Sequence, residues 1–339
     1  MDIPTERPSC RGLGKEGIAV VVVNWNDGGN LKKCLTALVK QSYPPSRIIV
    51  VDNASKDGSL KDLERLSVRP EVFALTENVG FAAANNLAVN LVKDCNWIAL
   101  LNPDAFPEPN WLAMLVDATK RNPEFAFFGS RMLSATQPTL LDGTGDVYHV
   151  SGLVKRRNHN HKAEGTDMRY EEIFSPCAAA ALYRRDVFLE VGGFDACYFC
   201  YSEDVDLGFR LRLNGYRCLY VPGAVVRHIG SATTGGQHSD FAVYHGHRNL
   251  VWTYFKNMPR PLFWLYLPQH ILMNVVSLIY FSLRRQTRVI WKAKWDALKG
   301  LPRILKERRR IQETRRVDVW ELRRVMAKGL LTRHVRQRA

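Results

Sequence analysis

The sequence predicts an α/β fold in which a mostly parallel central sheet carries helices on both faces, followed by an apolar helical segment and a basic tail. Three observations predict it. Short continuous runs of apolar, often β-branched residues recur through the first third of the chain. Segments with helical spacing alternate with these runs across short loops. Polar residues collect where the runs end.

Ile18-Ala19-Val20-Val21-Val22-Val23 reads as a strand buried on both faces. It ends in the loop Asn24-Trp25-Asn26-Asp27-Gly28-Gly29, after which Leu31, Cys34, Leu35 and Leu38 keep helical spacing. Arg47 to Asp52 is a second buried strand; the loop Asn53 to Gly58 follows, then a helix to about Leu66 and a strand at Val72 to Leu75. A loop from Thr76 to Gly80 leads into a helix from Phe81 to Val92, and Trp97 to Leu101 is the fourth strand. Asn24, Asp52, Asn78 and Asp104 stand at the carboxyl ends of these strands, the edge along which open α/β sheets bind ligands.

Beyond Phe125 the pattern loosens. Residues 134 to 172 are polar, with Gly143, Gly145 and Gly152, and His159 and His161 there read as part of a solvated loop. The short side chains of Pro176-Cys177-Ala178-Ala179-Ala180-Ala181 allow close approach of a ligand or a neighbouring element. No internal repeat is visible.

A chain of 339 residues, 46% of them hydrophobic, can bury a large core. Its seven cysteines are odd in number and scattered, so a disulfide framework is not expected, and Cys197 and Cys200 have no second pair at zinc-ribbon spacing. Met1 to Gly17 is polar and does not read as a secretory signal, which points to a reducing cytosolic face.

The net charge of +15 is uneven: from Arg284 onward there are 19 Lys/Arg against 5 Asp/Glu, leaving about +1 for the first 283 residues. Before this tail, Pro261 to Leu283 carries no formal charge apart from His270 and is rich in Trp and Tyr. It is long enough to span a membrane, but Pro268, Gln269, His270 and Asn274 interrupt it and basic residues flank both ends. A span would leave the globular part or the tail outside, against the positive-inside bias. The expectation is a segment in the cytosolic leaflet, with the tail drawn to anionic head groups; a buried core helix is the alternative. Nucleic acid is not expected, because no aromatic-interleaved reading surface accompanies the charge.

Two acidic features suggest chemistry. Tyr201-Ser202-Glu203-Asp204-Val205-Asp206-Leu207 places three carboxylates within four positions, and about 100 residues upstream Leu101-Asn102-Pro103-Asp104 ends an apolar run with one more. One acid to hold a cation and another to take a proton is what transfer of a group from a diphosphate needs.

Six segments carry a family resemblance: Val22 to Asn26, Val51 to Gly58, Asn78 to Asn85, Leu101 to Asp104, Gly192 to Asp195 and Glu203 to Leu207. In this order, over roughly residues 18 to 255, the chain resembles family 2 glycosyltransferases, and among them the rhamnosyltransferase-like bacterial members. The resemblance implies a GT-A fold and inverting transfer of a sugar from a nucleotide diphosphate to a hydroxyl. With the composition and charge pattern, the expected domain layout is a polar N-terminal tail at 1–17, a catalytic domain at 18–255 and a membrane-associating segment with basic tail at 256–339. The catalytic domain divides into a nucleotide-sugar half at 18–125 and an acceptor half at 126–255.

Residue by residue, the resemblance makes Asn24, Asp52, Asp57, Asn78, Gly80, Asn85 and Arg248 candidates for holding the donor. Asp52 is either a base or ribose contact or a turn acid, and Asp57 either a nucleotide contact or a helix cap. Gly80 lets the backbone approach closely, Asn85 either reaches the donor or holds the loop, and Arg248 meets the diphosphate from the other side. Asp104 stands where the family's metal-binding D-x-D motif ends, with Asn102 in place of its first acid. Mg²⁺ or Mn²⁺ there would neutralise charge on the departing diphosphate, and His228 either completes that site or is structural. Asp204 is the candidate base, its pKa raised by Glu203 and Asp206. Glu203 points about 100° away from it on a helix, and Asp206 with Arg210 reads as a structural pair.

The expected activity is hexose transfer, with rhamnose among the candidates, from a dTDP- or UDP-sugar to a lipid-linked or growing polysaccharide acceptor. The expected location is the cytosolic face of the inner membrane, peripheral or monotopic. The alternative from another class is a membrane-bound sugar-nucleotide scaffold without activity, which the Asn at 102 keeps open. A processive synthase is disfavoured by the single apolar segment and the lack of a Gln-x-x-Arg-Trp signature.

Overall fold

The computed structural model describes residues 17–329 apart from 62, 64, 65, 67, 68, 167, 231–235 and 237. The first half follows the expected alternation: β1 (Ile18–Asn24), α1 (Asn30–Val39), β2 (Arg47–Asp52), β3 (Glu71–Ala74), α2 (Gly80–Leu91) and β4 (Trp97–Leu101). Every residue of β1 is buried. Val20 and Val22 face a cluster that includes Leu31, Cys34, Leu35 and Leu38 of α1. Ala19, Val21 and Val23 face the other cluster, with Ala82, Ala84 and Ala88 of α2. A strand buried on both faces cannot alternate apolar with polar, which is why its sequence is an unbroken apolar run.

Of the helix expected between Gly58 and about Leu66, the described residues show a turn over Ser59 to Lys61 and a 3-10 conformation at Leu63; residues 62, 64 and 65 lie outside the described residues. In the turn Ser59 Oγ accepts from Asn24 Nδ2 at 2.8 Å and Asp57 Oδ1 accepts from the Ser59 amide at 3.0 Å.

The chain continues through β5 (Ala105–Pro107), α3 (Trp111–Arg121), β6 (Phe125–Ser134), β7 (Leu141–Gly143), β8 (Asp146–Tyr148), β9 (Val154–Arg156), β10 (Glu171–Ile173) and β11 (Ala180–Arg184). After these come α4 (Arg185–Glu190), α5 (Glu203–Leu213) and β12 (Arg217–His228). The main sheet runs β10-β12-β6-β11-β4-β1-β2-β3, with β5 joined to β12 and β7 to β6, while β8 and β9 form a separate ribbon. β3, β2, β1 and β4 are parallel. β11 enters antiparallel between β4 and β6, so the sheet is parallel only for the most part. The Ala178–Ala181 stretch lets β11 wedge between its neighbours, with Ala181 opposite Leu100 on one side and Gly129 on the other.

The rest is helical: α6 (Asp240–Asn257), α7 (Arg260–Leu283), α8 (Thr287–Lys299), α9 (Leu301–Glu313) and α10 (Val319–Arg324). The domain boundary expected at 255 falls inside α6. A third apolar cluster joins Tyr148, Phe174 and Phe209 to Leu262 and Phe263 of α7 and Leu322 of α10. Part of the basic tail is spent on fastening: Arg303 pairs with Asp195 at 3.1 Å, and Arg308 donates to the Phe255 carbonyl at 2.9 Å.

Candidate active site

The carboxyl edge of β1 and β4, the start of α5 and the inner face of α6 enclose a cavity of about 960 Å³, lined by both Asp104 and Asp204. The sequence places these acids a hundred residues apart; strand order brings them to one cleft. β12 ends beside β5, with His228 opposite Ala105, which sets the imidazole next to Asp104.

At that corner His228 Nε2 lies 3.2 Å from Asp104 Oδ1, yet this buried nitrogen has no hydrogen-bond acceptor in line with it. Asp104 Oδ2 accepts the Gly230 amide at 3.2 Å. The other imidazole nitrogen, Nδ1, is 2.9 Å from Asp142 Oδ2. A carboxylate on Nδ1 orients an imidazole so that Nε2 is presented to a metal. One carboxylate oxygen and one imidazole nitrogen side by side suit a divalent cation, in place of the imidazole proton, that keeps waters and takes further oxygens from a diphosphate. The residues present therefore fit such an ion. Burial opposes charge on His228, but the two flanking carboxylates outweigh it and raise its pKa to about 9. Burial likewise opposes charge on Asp142, yet His228 and Arg156 hold its carboxyl down to about 2.

Asp204 occupies the opposite wall, in the first turn of α5. Its Oδ2 accepts the Ala178 amide at 3.1 Å and its Oδ1 the Val205 amide at 2.8 Å. Burial raises its pKa against these hydrogen bonds, the direction a general base near neutral pH requires. Glu203 is buried, its Oε2 has no hydrogen-bond partner, and burial followed by the Asp204 charge pushes its pKa well up.

Between the two walls runs a connection of charges. Arg156 Nη1 meets Asp142 Oδ2 at 3.0 Å and its Nε meets Asp146 Oδ1 at 3.3 Å. Asp146, Cys177 and Asp204 offer atoms all within 4.8 Å of one another. Asp146 and Arg156 are cross-strand partners in the β8–β9 ribbon. Gly143 makes room for the guanidinium stem, since a Cβ there would lie 2.3 Å from Arg156 Cδ. Burial and the nearby Asp204 and Asp142 charges lift the Asp146 pKa to about 7, against the pull of Arg156.

The loop over the base is strained. Phe199, Tyr201 and Ser202 all have φ near +65°, each at a cost of order 1 kcal/mol or more. Asn249 Nδ2 donates to the carbonyls of Tyr198, Cys200 and Tyr201 at 3.1, 2.8 and 2.8 Å, and the Ala82 and Asp206 amides hold the carbonyls of Phe199 and Ser202 at 3.2 and 2.9 Å.

The family model for Glycosyl transferase family 2 matches residues 19–192, more than half of the chain. The chain belongs to this family. It is 26% identical over 246 residues to an N-acetylglucosaminyl-diphospho-decaprenol L-rhamnosyltransferase of Mycobacterium tuberculosis, covering 64% of this chain and 78% of that protein. It is 25% identical over 230 residues to an O-antigen chain rhamnosyltransferase of Salmonella typhimurium, covering 64% and 67%. Among solved structures, a mannosyltransferase from Pyrobaculum calidifontis in complex with GDP-Man and Mn²⁺ aligns with TM-score 0.52 at 15% identity, over 91% of this chain and 89% of that one. GalNAc-T7 with UDP, GalNAc and Mn²⁺ aligns with TM-score 0.60 at 17% identity, over 74% of this chain; the match spans about half, 49%, of that longer one. The fold is GT-A and the protein is a glycosyltransferase.

Within this glycosyltransferase, the residues expected from sequence divide. Asn78, Gly80, Asp104, Glu203, Asp204 and His228 line the cavity. Gly80, at φ +85°, serves a protein contact: a Cβ there would meet Phe199 Cδ2 at 2.6 Å, so the close approach expected of a donor is made by Phe199. Asn78 Oδ1 caps the Gly80 amide at 2.9 Å.

Asn24, Asp52, Asp57, Asn85 and Arg248 are absent from the cavity lining. Asn24 is fully buried and donates to Asp52 Oδ1 at 2.7 Å. Asp52 also accepts the Ser55 amide at 3.0 Å, and Asp57 the Gly28 amide at 2.7 Å. Asn85 bonds its own helix, to the Phe81 carbonyl at 2.9 Å. Arg248 holds the Tyr198 carbonyl at 2.9 Å and lies over the Trp252 ring. In this arrangement Asn24, Asp52, Asp57 and Arg248 bond loop groups, and Asn85 its own helix. Asp206 is fully buried and pairs with Arg210 at 2.8 Å and Lys256 at 2.7 Å, as expected of a structural pair with Arg210, and burial leads the causes that raise the Asp204 pKa.

Asp27, Asp142, Asp146, Arg156 and Asn249 were missed. Asp142-Gly143-Thr144-Gly145-Asp146 holds a findable signal, two acids alternating with glycines. Asp27 lines the cavity near Asp104, and burial raises its pKa to about 6. His159, read as a solvated loop residue, lines the cavity too, its Nδ1 2.8 Å from the Asp142 carbonyl.

Proposed function

We propose that this glycosyltransferase moves a hexose, rhamnose foremost, from a nucleoside-diphosphate donor to a hydroxyl of a lipid-linked or growing polysaccharide acceptor, with inversion. The observation that carries the reading is the pair of walls of one cavity: an Asp104–His228 corner suited to a diphosphate-bound cation and, facing the same space, an Asp204 carboxylate with a raised pKa. Asp204 takes the proton of the acceptor hydroxyl as its oxygen attacks the anomeric carbon, and the diphosphate leaves from the opposite face. The two backbone amides on Asp204 fix its carboxylate plane. Asp104 and His228 would hold Mg²⁺ or Mn²⁺, which when bound neutralises charge on the diphosphate.

The lipid-linked acceptor is supported by the rhamnosyltransferase relative whose name contains a diphospho-decaprenol. Location at the cytosolic face of a membrane rests on the apolar α7 and the basic tail. Nothing in the comparisons supports the alternative of an inactive scaffold.

The test is transfer by purified protein across a panel of nucleotide sugars that includes dTDP-rhamnose and UDP-hexoses, with and without Mn²⁺. Asp204→Asn is expected to lower turnover by about 10²–10⁴ while donor binding persists. Equal turnover in that variant removes Asp204 as base; absence of turnover in the parent with every donor favours the scaffold.

A further inference from the structure

α7 is long and apolar enough to cross a bilayer by length and composition. Its contacts argue for a different placement. One face carries Leu262, Phe263, Tyr266, His270, Met273, Ser277 and Phe281, all buried. His270 Nδ1 is 2.7 Å from the Ser151 carbonyl of the catalytic half, and its ring stacks on Tyr254 at 3.9 Å. Asn274 Oδ1 accepts Lys294 Nζ of α8 at 2.6 Å. A helix pulled across a bilayer would forfeit these contacts along most of its length.

Among the described residues nothing covers the other face. Leu272, Val275, Val276, Ile279 and Leu283 recur at helical spacing and are 46–81% exposed. Beside them on α8, Trp291, Trp295 and Leu298 are 54–59% exposed. From Leu272 to Leu283 this apolar strip runs about 17 Å at 1.5 Å per residue, and the α8 residues widen it into the kind of exposed apolar patch that marks a contact surface. Its border is cationic: Arg284, Arg285, Arg288, Lys292 and Lys299 are exposed, and Lys299 lies over the Trp295 ring. The only acid on these two helices, Asp296, is bonded to Tyr244 at 2.8 Å. Indole rings and cations side by side, with no free acid, match the boundary of an anionic bilayer.

The strip adjoins the active site. Phe281 of α7 lines the catalytic cavity together with Val243 and Leu250 of α6, while Tyr280 and Leu283, one and two positions away, face outward. Val243 and Phe281 pack with Ile290 of α8 as a small cluster of their own. The cavity therefore has a polar end at Asp104 and an apolar end at the root of the exposed strip.

We propose that the outward face of α7 and α8 lies in the interfacial plane of an anionic leaflet, and that the apolar end of the cavity, between Val243, Leu250 and Phe281, receives the first carbons of the acceptor's isoprenoid chain from that leaflet. The second part rests on the glycosyltransferase reading above; the first does not.

The full chain is sedimented with vesicles of phosphatidylcholine alone and of phosphatidylcholine mixed with phosphatidylglycerol, with neither donor nor acceptor present. Binding to the mixed vesicles is expected, salt-sensitive, and at least about tenfold weaker in the double variant Leu272→Asn, Trp291→Ser, because withdrawing even one large apolar side chain from lipid costs that factor. Unchanged thermal midpoint shows that the variant is folded. Equal vesicle binding by variant and parent overturns the proposal, as does a parent dimer that the double variant dissociates, since the strip would then serve a second copy. For the cavity, Val243→Trp is expected to lower the ratio of transfer to N-acetylglucosaminyl diphosphate on a long isoprenoid over the same head group on a short, water-soluble chain by about tenfold. An unchanged ratio overturns the apolar end as the lipid site. Loss of all transfer in the parent would instead break the functional reading, and leave the vesicle result standing.

Discussion

Two regions of this glycosyltransferase use polar side chains in opposite ways. At the ends of β1 and β2, Asn24 gives its amide to Asp52, Ser55 and Ser59, and the group folds in on itself. In the short strands β7 to β9, Arg156 bonds both Asp142 and Asp146; Arg156 and Asp146 line the cavity, and Asp142 lies behind them against His228. The first region shapes loops; the second joins the Asp104–His228 corner to the surroundings of Asp204. The difference teaches that standing at a strand end does not decide which side chain faces the cavity: Asn78 and Asp104 line it, while Asn24 and Asp52 do not. Which residues face the cleft is decided by what distant segments offer them.

The comparison is tested most severely at Asp142. If it orients His228 toward a cation, Asp142→Asn should weaken Mn²⁺ binding about 10–100-fold, read by titration calorimetry with a nucleoside diphosphate present. Unaltered Mn²⁺ affinity would reduce the β7–β9 network to the same loop-holding role as the β1–β2 corner.

Arg156→Met comes next. It leaves Asp142 and Asp146 without their shared partner, and should cost roughly 2 kcal/mol in chemical denaturation. That is less than the ~3–5 kcal/mol for breaking a fully buried pair, because the Arg156 side chain is 29% exposed. Turnover should fall as well, because Asp146 then lies beside the base with nothing to anchor it. A variant that loses stability but keeps full turnover would show that the arginine fastens and does no more.

The pH profile separates the regions in another way. Asp146, raised to about 7, and Asp204, also raised, titrate as a pair. As pH rises through the upper step, Asp146 acquires charge beside the base and strengthens it, so turnover should climb through pH 7. Asp146→Asn cannot acquire that charge. Its profile should lose the step near 7 and level off at lower pH, whereas Asp52→Asn, outside the cavity lining, should leave the profile's shape unchanged.

Much of the sheet was legible because burial on both faces leaves an unmistakable record: β1 is apolar at nearly every position, and α1 keeps Leu31, Cys34, Leu35 and Leu38 on one face. Asp104 and Asp204 were legible as acids where an isolated apolar run ends and where repulsion needs a reason. The β8–β9 ribbon was not. Three-residue strands leave no period to read, and the value of Arg156 lies in partners ten and fourteen residues away whose approach depends on Gly143 having no side chain. Antiparallel β11 was hidden for a related reason: its alanines fit any element, and only the neighbours on either side make them a strand.

Asn85 is where the sequence reading and the geometry part most finely. On sequence it stands one helical face from the donor stretch; in the fold its amide is 2.9 Å from the Phe81 carbonyl and its residue is 1% exposed. A buried amide bonded only within its own helix contributes about 1 kcal/mol. Asn85→Ala should therefore lower stability by about that amount and leave donor affinity as it was, measured by thermal shift in a nucleotide-sugar titration. The two readouts answer different questions. A stability loss with unaltered affinity puts Asn85 with Asn24 and Asp52 among the residues that hold the donor-side loops. Weakened donor affinity with stability intact would mean that α2 turns its amide into the cleft when the donor arrives, and that the donor-side residues are less self-contained than their hydrogen bonds suggest.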